Sequence, residues 1–257
     1  MTGPAASPLA AACTTDLLLG GRLTIRQPAR GYRAAIDPVL LAAAVPANAG
    51  QTVLEAGTGV GTAALCLAAR VEGIRIVGLE IDAVTAEMAR RNVALNCREA
   101  AITIASGDIL APPADLRGRS FELVMSNPPF HPAATPPSPD AAKALATREG
   151  SSVADWLGAC LRRLLPGGRL VLIQRADRLT ELFAGLAGRA GEIEIVPLWP
   201  KAGRPAKRVI VRCRKGAKGA DRLAPGLVLH DGDGKYTAAA EAILRDGADL
   251  DSVLQQG

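Results

Sequence analysis

Aromatic residues are scarce: three Phe, two Tyr and two Trp occur among 257 residues, so a ring beside a motif is worth notice. Only two histidines are present, His131 and His230, which excludes a histidine metal cluster. The five cysteines, Cys13, Cys66, Cys97, Cys160 and Cys213, are isolated, odd in number and show no Cys-x-x-Cys spacing. That pattern excludes a zinc site and predicts reduced thiols in a cytosolic protein. No window approaches the ~20 apolar residues that a membrane span needs, so a soluble protein with no membrane partner is expected. Ala11-Ala12-Cys13 has the outward form of a lipoprotein cleavage site, but no basic segment precedes it and its apolar run is short. The first residues read instead as a disordered start. Lysine is also scarce beside abundant Ala and Arg, a bias of coding composition rather than of mechanism. A hydrophobic fraction of 49% with mean hydropathy +0.18 excludes a disordered chain and suits one domain with a sizeable core.

The most informative stretch that is present is Ser126-Asn127-Pro128-Pro129-Phe130, placed after the apolar run Phe121-Glu122-Leu123-Val124-Met125. That run reads as a buried strand. Consecutive prolines have no N–H to donate, and each restricts the residue before it to extended backbone, so the strand must stop with Asn127 held rigidly at its end. An amide oxygen and a neighbouring carbonyl can then both accept hydrogen bonds from one NH2 group, while an aromatic ring stacks on the base or amide that carries it. Asn127, Pro128, Pro129 and Phe130 are the candidate catalytic residues. The motif resembles that of amino-methyltransferases, which act on adenine N6 or glutamine N5.

Upstream, Gln51 to Gly61 reads as strand, glycine turn and helix start, with Glu55, Ala56, Gly57, Thr58, Gly59 and Gly61 forming a close approach for a ligand. Its Gly-x-Gly-x-Gly spacing departs from the Gly-x-Gly-x-x-Gly of dinucleotide enzymes. A second apolar strand ends in Glu80, whose two oxygens can accept from both hydroxyls of a ribose. A third ends at Asp108, which can accept from an adenine amino group, with Ile81 and Ile109 placed to sandwich the ring. Each acid could equally cap the next helix. The order glycine loop, Glu80, Asp108, Asn127 resembles that of class I methyltransferases that use S-adenosylmethionine, which implies that cofactor.

Beyond the motif, Val153, Trp156, Leu157, Cys160, Leu161, Leu164 and Leu165 recur at helical spacing, and Pro166-Gly167-Gly168 is expected to stop that helix. Strands at 169–174, 192–198 and 207–213 follow, the last two as a hairpin. The expected fold is α/β and Rossmann-like: a seven-stranded, mainly parallel sheet with an antiparallel strand at or near its edge and helices on both faces. The chain divides into a disordered start (1–14), an N-terminal extension over the cofactor site (15–50), a catalytic core (51–215) and a C-terminal extension (216–257). Residues 133–140, rich in Pro, Ala and Ser, read as a mobile loop beside the target site.

Net charge is only +5, yet nine basic residues and one acid lie between Lys201 and Arg222. Lys201, Arg204, Lys207, Arg208, Arg212 and Arg214, with Arg22 and Arg26 near the N-terminus, are therefore candidate RNA contacts. A solvated surface is the plainer alternative.

Leu19 to Pro28, Gly31 to Ala43, Lys201 to Arg208 and Leu229 to Thr237 resemble segments of the bacterial tRNA(Val) adenine-N6 methyltransferase family, a likeness that spans roughly Thr15 to Leu244. The resemblance implies methylation of the adenosine just 3′ of the anticodon, and it implies that Tyr32, Arg33 and Asp37 fold over the cofactor. Phe130 stands where the family more often has Tyr. Two other readings stay open: a protein glutamine-N5 methyltransferase acting on release factors, and, more remotely, a nucleotide-binding Rossmann module or oxidoreductase.

Overall fold

Short apolar runs, each bounded by glycine, proline or an acid, become the strands, and alanine-rich or amphipathic stretches between them become the helices. The computed structural model describes residues 13–29, 35–128 and 152–255. In chain order, β1 (Cys13–Leu18) and β2 (Leu23–Pro28) form a hairpin and are followed by α1 (Asp37–Ala44). Then come β3 (Thr52–Ala56), α2 (Thr62–Arg70), β4 (Arg75–Glu80), α3 (Ala83–Leu95), β5 (Ile102–Ser106), α4 (Ala114–Arg117) and β6 (Phe121–Ser126). The second half supplies α5 (Val153–Arg162), β7 (Leu164–Arg175), α6 (Leu179–Leu186), β8 (Ala190–Lys201), β9 (Arg208–Lys215), β10 (Arg222–Leu223), β11 (Leu227–His230), α7 (Ala238–Leu244) and α8 (Leu250–Leu254).

One sheet runs in the order β10-β8-β9-β7-β6-β3-β4-β5, and β11 adds to β8. Pairs from β5 through to β7 are parallel, and β9 runs against both β7 and β8. This is the expected Rossmann-like architecture with two corrections. The sheet has nine strands, because β10 and β11 extend it beyond β8; β10 has two residues and β11 four, too short to register as apolar periodicity. The antiparallel strand β9 lies between β7 and β8, near the edge as expected. A smaller correction concerns the Val153 helix, which ends at Arg162 and not at the Pro-Gly-Gly stop. Leu164 already pairs with Phe121 in the sheet, where its side chain is 1% exposed.

The central strands are buried on both faces, as a parallel sheet covered by helices requires. One apolar layer gathers α1, α2 and the inward side of α3, and the other gathers α5 and α6 around Trp156, Leu157 and Leu182. Local caps set several helix starts: Asp82 accepts from Thr85 N–H at 2.7 Å, and Ser152 and Asp155 form a reciprocal capping box.

The hairpin is fastened to the core by two asparagines one helical turn apart on α3. Asn92 accepts from Arg26 N–H and donates to Arg26 O, both at 2.9 Å, and Asn96 does the same for Thr24 at 2.9 and 2.8 Å. Four residues of helix rise about 6 Å and two residues of strand about 6.6 Å, so the spacings match and the amides act as a substitute strand edge. Asn92 also donates to Val60 O at 2.9 Å, which reaches the glycine turn itself.

Candidate functional site

Gly57, Glu80, Asp108 and Asn127 all stand at or just beyond the carboxyl ends of parallel strands. Ala56 pairs with Leu79 on one side and Ser126 on the other, and Glu80 pairs with Ser106. With strands about 4.8 Å apart, the end of β5 lies roughly 14 Å from the end of β6. The strand order reverses between β3 and β6, where the sheet leaves a crevice for a ligand. The glycine turn forms one wall of that crevice and Asn127 the other.

The turn takes left-handed backbone, with φ of 74° at Gly57 and 56° at Gly59. No atom lies within 4 Å of where a Cβ on Gly59 would stand, so the main chain is laid bare to a ligand. Three bonds brace it. Gly57 and Thr58 N–H groups donate to Leu79 O at 2.9 and 3.0 Å, and Gly59 N–H donates to Glu80 Oε2 at 2.9 Å. Glu80 Oε1 accepts from Asp82 N–H at 3.0 Å. Each of these oxygens keeps a second lone pair for a ribose hydroxyl. Asp108 Oδ1 accepts from Leu110 N–H at 2.9 Å, which is turn chemistry for one of its two oxygens.

Glu55 plays a different part from the ligand contact expected of it. Its side chain is 4% exposed, and Oε2 accepts from Thr58 Oγ1 at 2.6 Å and Ala64 N–H at 3.1 Å. It ties the turn to the first coil of α2 from beneath. Burial pushes its carboxyl up to about 8, against the opposing pull of those two hydrogen bonds, and the nearby Glu80 charge adds to the rise. Ile109 is likewise a correction: it is 4% exposed within the apolar layer, while Ile81 is half-buried. Of the pair, Ile81 retains side-chain surface to offer a ring.

Beneath the candidate catalytic motif lie contacts that sequence reasoning missed. Ser126 Oγ, fully buried, donates to Ala56 O at 2.7 Å and accepts from Trp156 Nε1 at 3.2 Å. The same indole would stand 3.5 Å from a Cβ on Gly57. One network thus joins the end of β6, the end of β3 and the start of the glycine turn. Pro128 is buried and Asn127 half-buried. Pro129, Phe130, Tyr32 and Arg33 lie outside the described residues, as do the first twelve residues and the 133–140 loop.

The basic residues separate sharply. Arg208 pairs with Arg175 at the carboxyl end of β7, and Arg214 with Arg169 six residues back, about 20 Å away. Arg214 bonds Glu192 at the far end of the sheet. Arg212 is 9% exposed and bonds Glu194 at 3.1 Å and Asp251 at 2.6 Å, with Arg222 also on Glu194. Neither stands at the site: Arg212 is held by acids of β8 and α8, and Arg214 lies at the opposite end of the sheet. Arg208 Nε bonds Asp37 Oδ2 at 2.9 Å, so a residue expected at RNA and one expected at the cofactor hold each other. Arg22 is exposed but bonds backbone carbonyls of Leu19 and Arg245. Lys201, Arg204, Lys207 and Arg26 remain exposed. The first three crown the β8–β9 turn at the same end of the sheet as Asn127.

A model of the methyltransferase small domain family matches residues 34–181, over half of the chain. A tRNA1(Val) (adenine(37)-N6)-methyltransferase of Porphyromonas gingivalis is 33% identical over 238 residues, 87% of this chain and 91% of that protein. The chain belongs to the tRNA(Val) adenine-N6 methyltransferase family, within the methyltransferase small domain. A protein of the same description from Aeromonas hydrophila is 31% identical, covering 78% of this chain and 84% of its own. In structure, a predicted O-methyltransferase from Agrobacterium tumefaciens superposes with a TM-score of 0.67 at 25% identity, over 80% of this chain and 94% of that one. This enzyme is accordingly a class I methyltransferase whose donor is S-adenosylmethionine. The bare Gly59 backbone and the acids ending β4 and β5 fit such a donor, which presents a positive sulfonium and a ribose. Among the described residues, no helix is long and apolar enough to cross a membrane.

Proposed function

We propose that this methyltransferase transfers a methyl group to the exocyclic N6 of an adenine in RNA, in the anticodon loop of tRNA(Val), in keeping with the adenine 37 of tRNA1(Val) that its relatives' names specify. The observation that carries the reading is the position of Asn127-Pro128, one strand from the braced glycine turn and tied to it through Ser126 and Trp156. When bound, S-adenosylmethionine supplies a methyl group already activated by a positively charged sulfur.

The work left to the protein is positioning and charge stabilisation. Asn127 Oδ1 and the Pro128 carbonyl accept the two N6 hydrogens, which turns the nitrogen toward a tetrahedral form and stabilises the positive charge that develops there. Phe130 stacks on an adenine turned out of its loop, where a single-stranded base costs little to unstack. The proton leaves to water after transfer. Tyr32 and Arg33, within the extension 15–50, cover the donor. Lys201, Arg204 and Lys207 track the RNA backbone beside the site, three strands from Asn127. A tRNA substrate supports a cytoplasmic location.

A hydroxyl acceptor brings one hydrogen to two acceptors and suits this site less well. A glutamine amide brings two, but the basic β8–β9 turn favours a phosphate backbone over a protein loop. The test is to incubate the protein with isotopically labelled S-adenosylmethionine and, in parallel, bulk RNA, DNA and release factor, then to identify the labelled product. Labelled N6-methyladenosine in tRNA is expected; label on glutamine, or on DNA alone, would overturn the reading.

A further inference from the structure

Two prolines end β6, yet the carbonyl between them is held by a side chain from the next strand. Ser126 pairs in parallel register with Leu172, so the residue of β7 two places further on, level with Pro128, is Gln174. Gln174 is 5% exposed. Its Nε2 donates to Pro128 O at 3.3 Å, and its Oε1 accepts from Arg175 N–H at 2.8 Å. The side-chain amide therefore stands between a backbone donor of β7 and a backbone acceptor of the Asn-Pro-Pro-Phe motif. These two neighbours also dictate which end of the amide is oxygen and which is nitrogen.

We propose that Gln174 is a positioning residue that aims the Pro128 carbonyl at an amino hydrogen of the methyl acceptor, and so helps select acceptors that carry two such hydrogens. The proposal rests on the adenine-N6 reading, which is what gives that carbonyl its task. A carbonyl oxygen has two lone pairs. Gln174 takes one, fixes the direction of the group and leaves the other for the acceptor. Burial of Gln174 keeps water from substituting for the amide. The backbone of Gln174 is itself locked, since β7 pairs with β9 on its other side, Gln174 opposite Val209. A carbonyl free to tilt would still bind an amino group, but less often in line with the transfer direction.

The experiment uses the full chain with Gln174→Leu and Gln174→Glu, measuring kcat on the acceptor that the wild type methylates, donor affinity by calorimetry and thermal stability, across pH. The Leu variant should lose about tenfold in kcat at every pH, with donor Kd within about twofold of wild type. The Glu variant, close in shape, should lose as much at high pH and regain activity as pH falls and the introduced carboxyl takes up a proton it can donate to Pro128 O. Retention of kcat within about twofold by the Leu variant would overturn the proposal. So would a loss in both variants that follows donor affinity or stability and shows no recovery at low pH, which is what a merely structural amide would give. A wild-type enzyme that yields no N6-methyladenosine would instead refute the adenine reading, while the kcat comparison on its actual amino acceptor would still decide the role of Gln174.

Discussion

Asn127, at the end of β6, and Glu55, buried beneath the glycine turn, make contrasting residue-scale predictions. Asn127→Ala should leave donor affinity nearly intact while lowering turnover about a hundredfold, the ~2.7 kcal/mol expected when one acceptor aimed at a developing charge is removed. Single-turnover kinetics with labelled donor would check this, and an active variant would remove the mechanism. Glu55 acts through protonation. Its carboxyl titrates at about 8 when folded against an ordinary 4.5. As pH rises from about 4.5 to about 8, the unfolded chain gives up this proton and the folded chain keeps it. Stability from this group therefore falls across that window, by about 1.4 kcal/mol per pH unit at most, and levels off above it. Glu55→Gln keeps an oxygen for Thr58 and Ala64 and has no proton to lose. Urea denaturation between pH 5 and 8 should show the wild type losing stability relative to the variant, and a pH-independent difference would contradict the burial argument.

At the scale of elements, Arg212 of β9 and the cations of the neighbouring β8–β9 turn have opposite fates a few residues apart. Replacing Arg212 by Ala strips a largely buried ion pair of its cation, leaving Glu194 with only the exposed Arg222, and should cost about 3 kcal/mol of stability. The salt dependence of RNA binding should not change. Joint replacement of Lys201, Arg204 and Lys207 by Ala should do the reverse. Stability stays put, and the log–log salt slope on a single-stranded anticodon-loop RNA becomes shallower by about 2, roughly 0.7 for each lost phosphate contact. Fluorescence anisotropy titrations over a salt series, beside thermal melts, separate the two. An unchanged slope in the triple variant would mean that the β8–β9 turn faces away from the RNA.

Over the whole molecule, the N-terminal hairpin is joined to the donor side of the sheet through Asn92 and Asn96. Asn92→Ala removes partners from Arg26 N–H, Arg26 O and Val60 O together, each worth about 1–3 kcal/mol if left buried and unpaired. Hydrogen exchange should show the amides of Thr24 and Arg26 losing protection while those of β3 and β4 keep theirs; uniform loss would mean that the hairpin and sheet unfold as one unit. The attachment could not be read from sequence, because an asparagine in the last turn of a helix and another at its C-cap carry no such signal until a strand edge lies against them. By contrast, the apolar runs of β3, β4 and β6, the glycine turn and the stop of β6 at Ser126 were legible, since strand burial, left-handed backbone and loss of a proline N–H are decided by adjacent residues. Sequence alone therefore determined the Rossmann-like order and named the candidate donor loop and methyl-acceptor motif. Tertiary structure decided which cations are spent on acids, as with Arg212, which predicted contacts hold each other, as with Asp37 and Arg208, and that Gln174 reaches Pro128. Those outcomes depend on strand register and on charges brought together from distant parts of the chain, and composition along the sequence is blind to both.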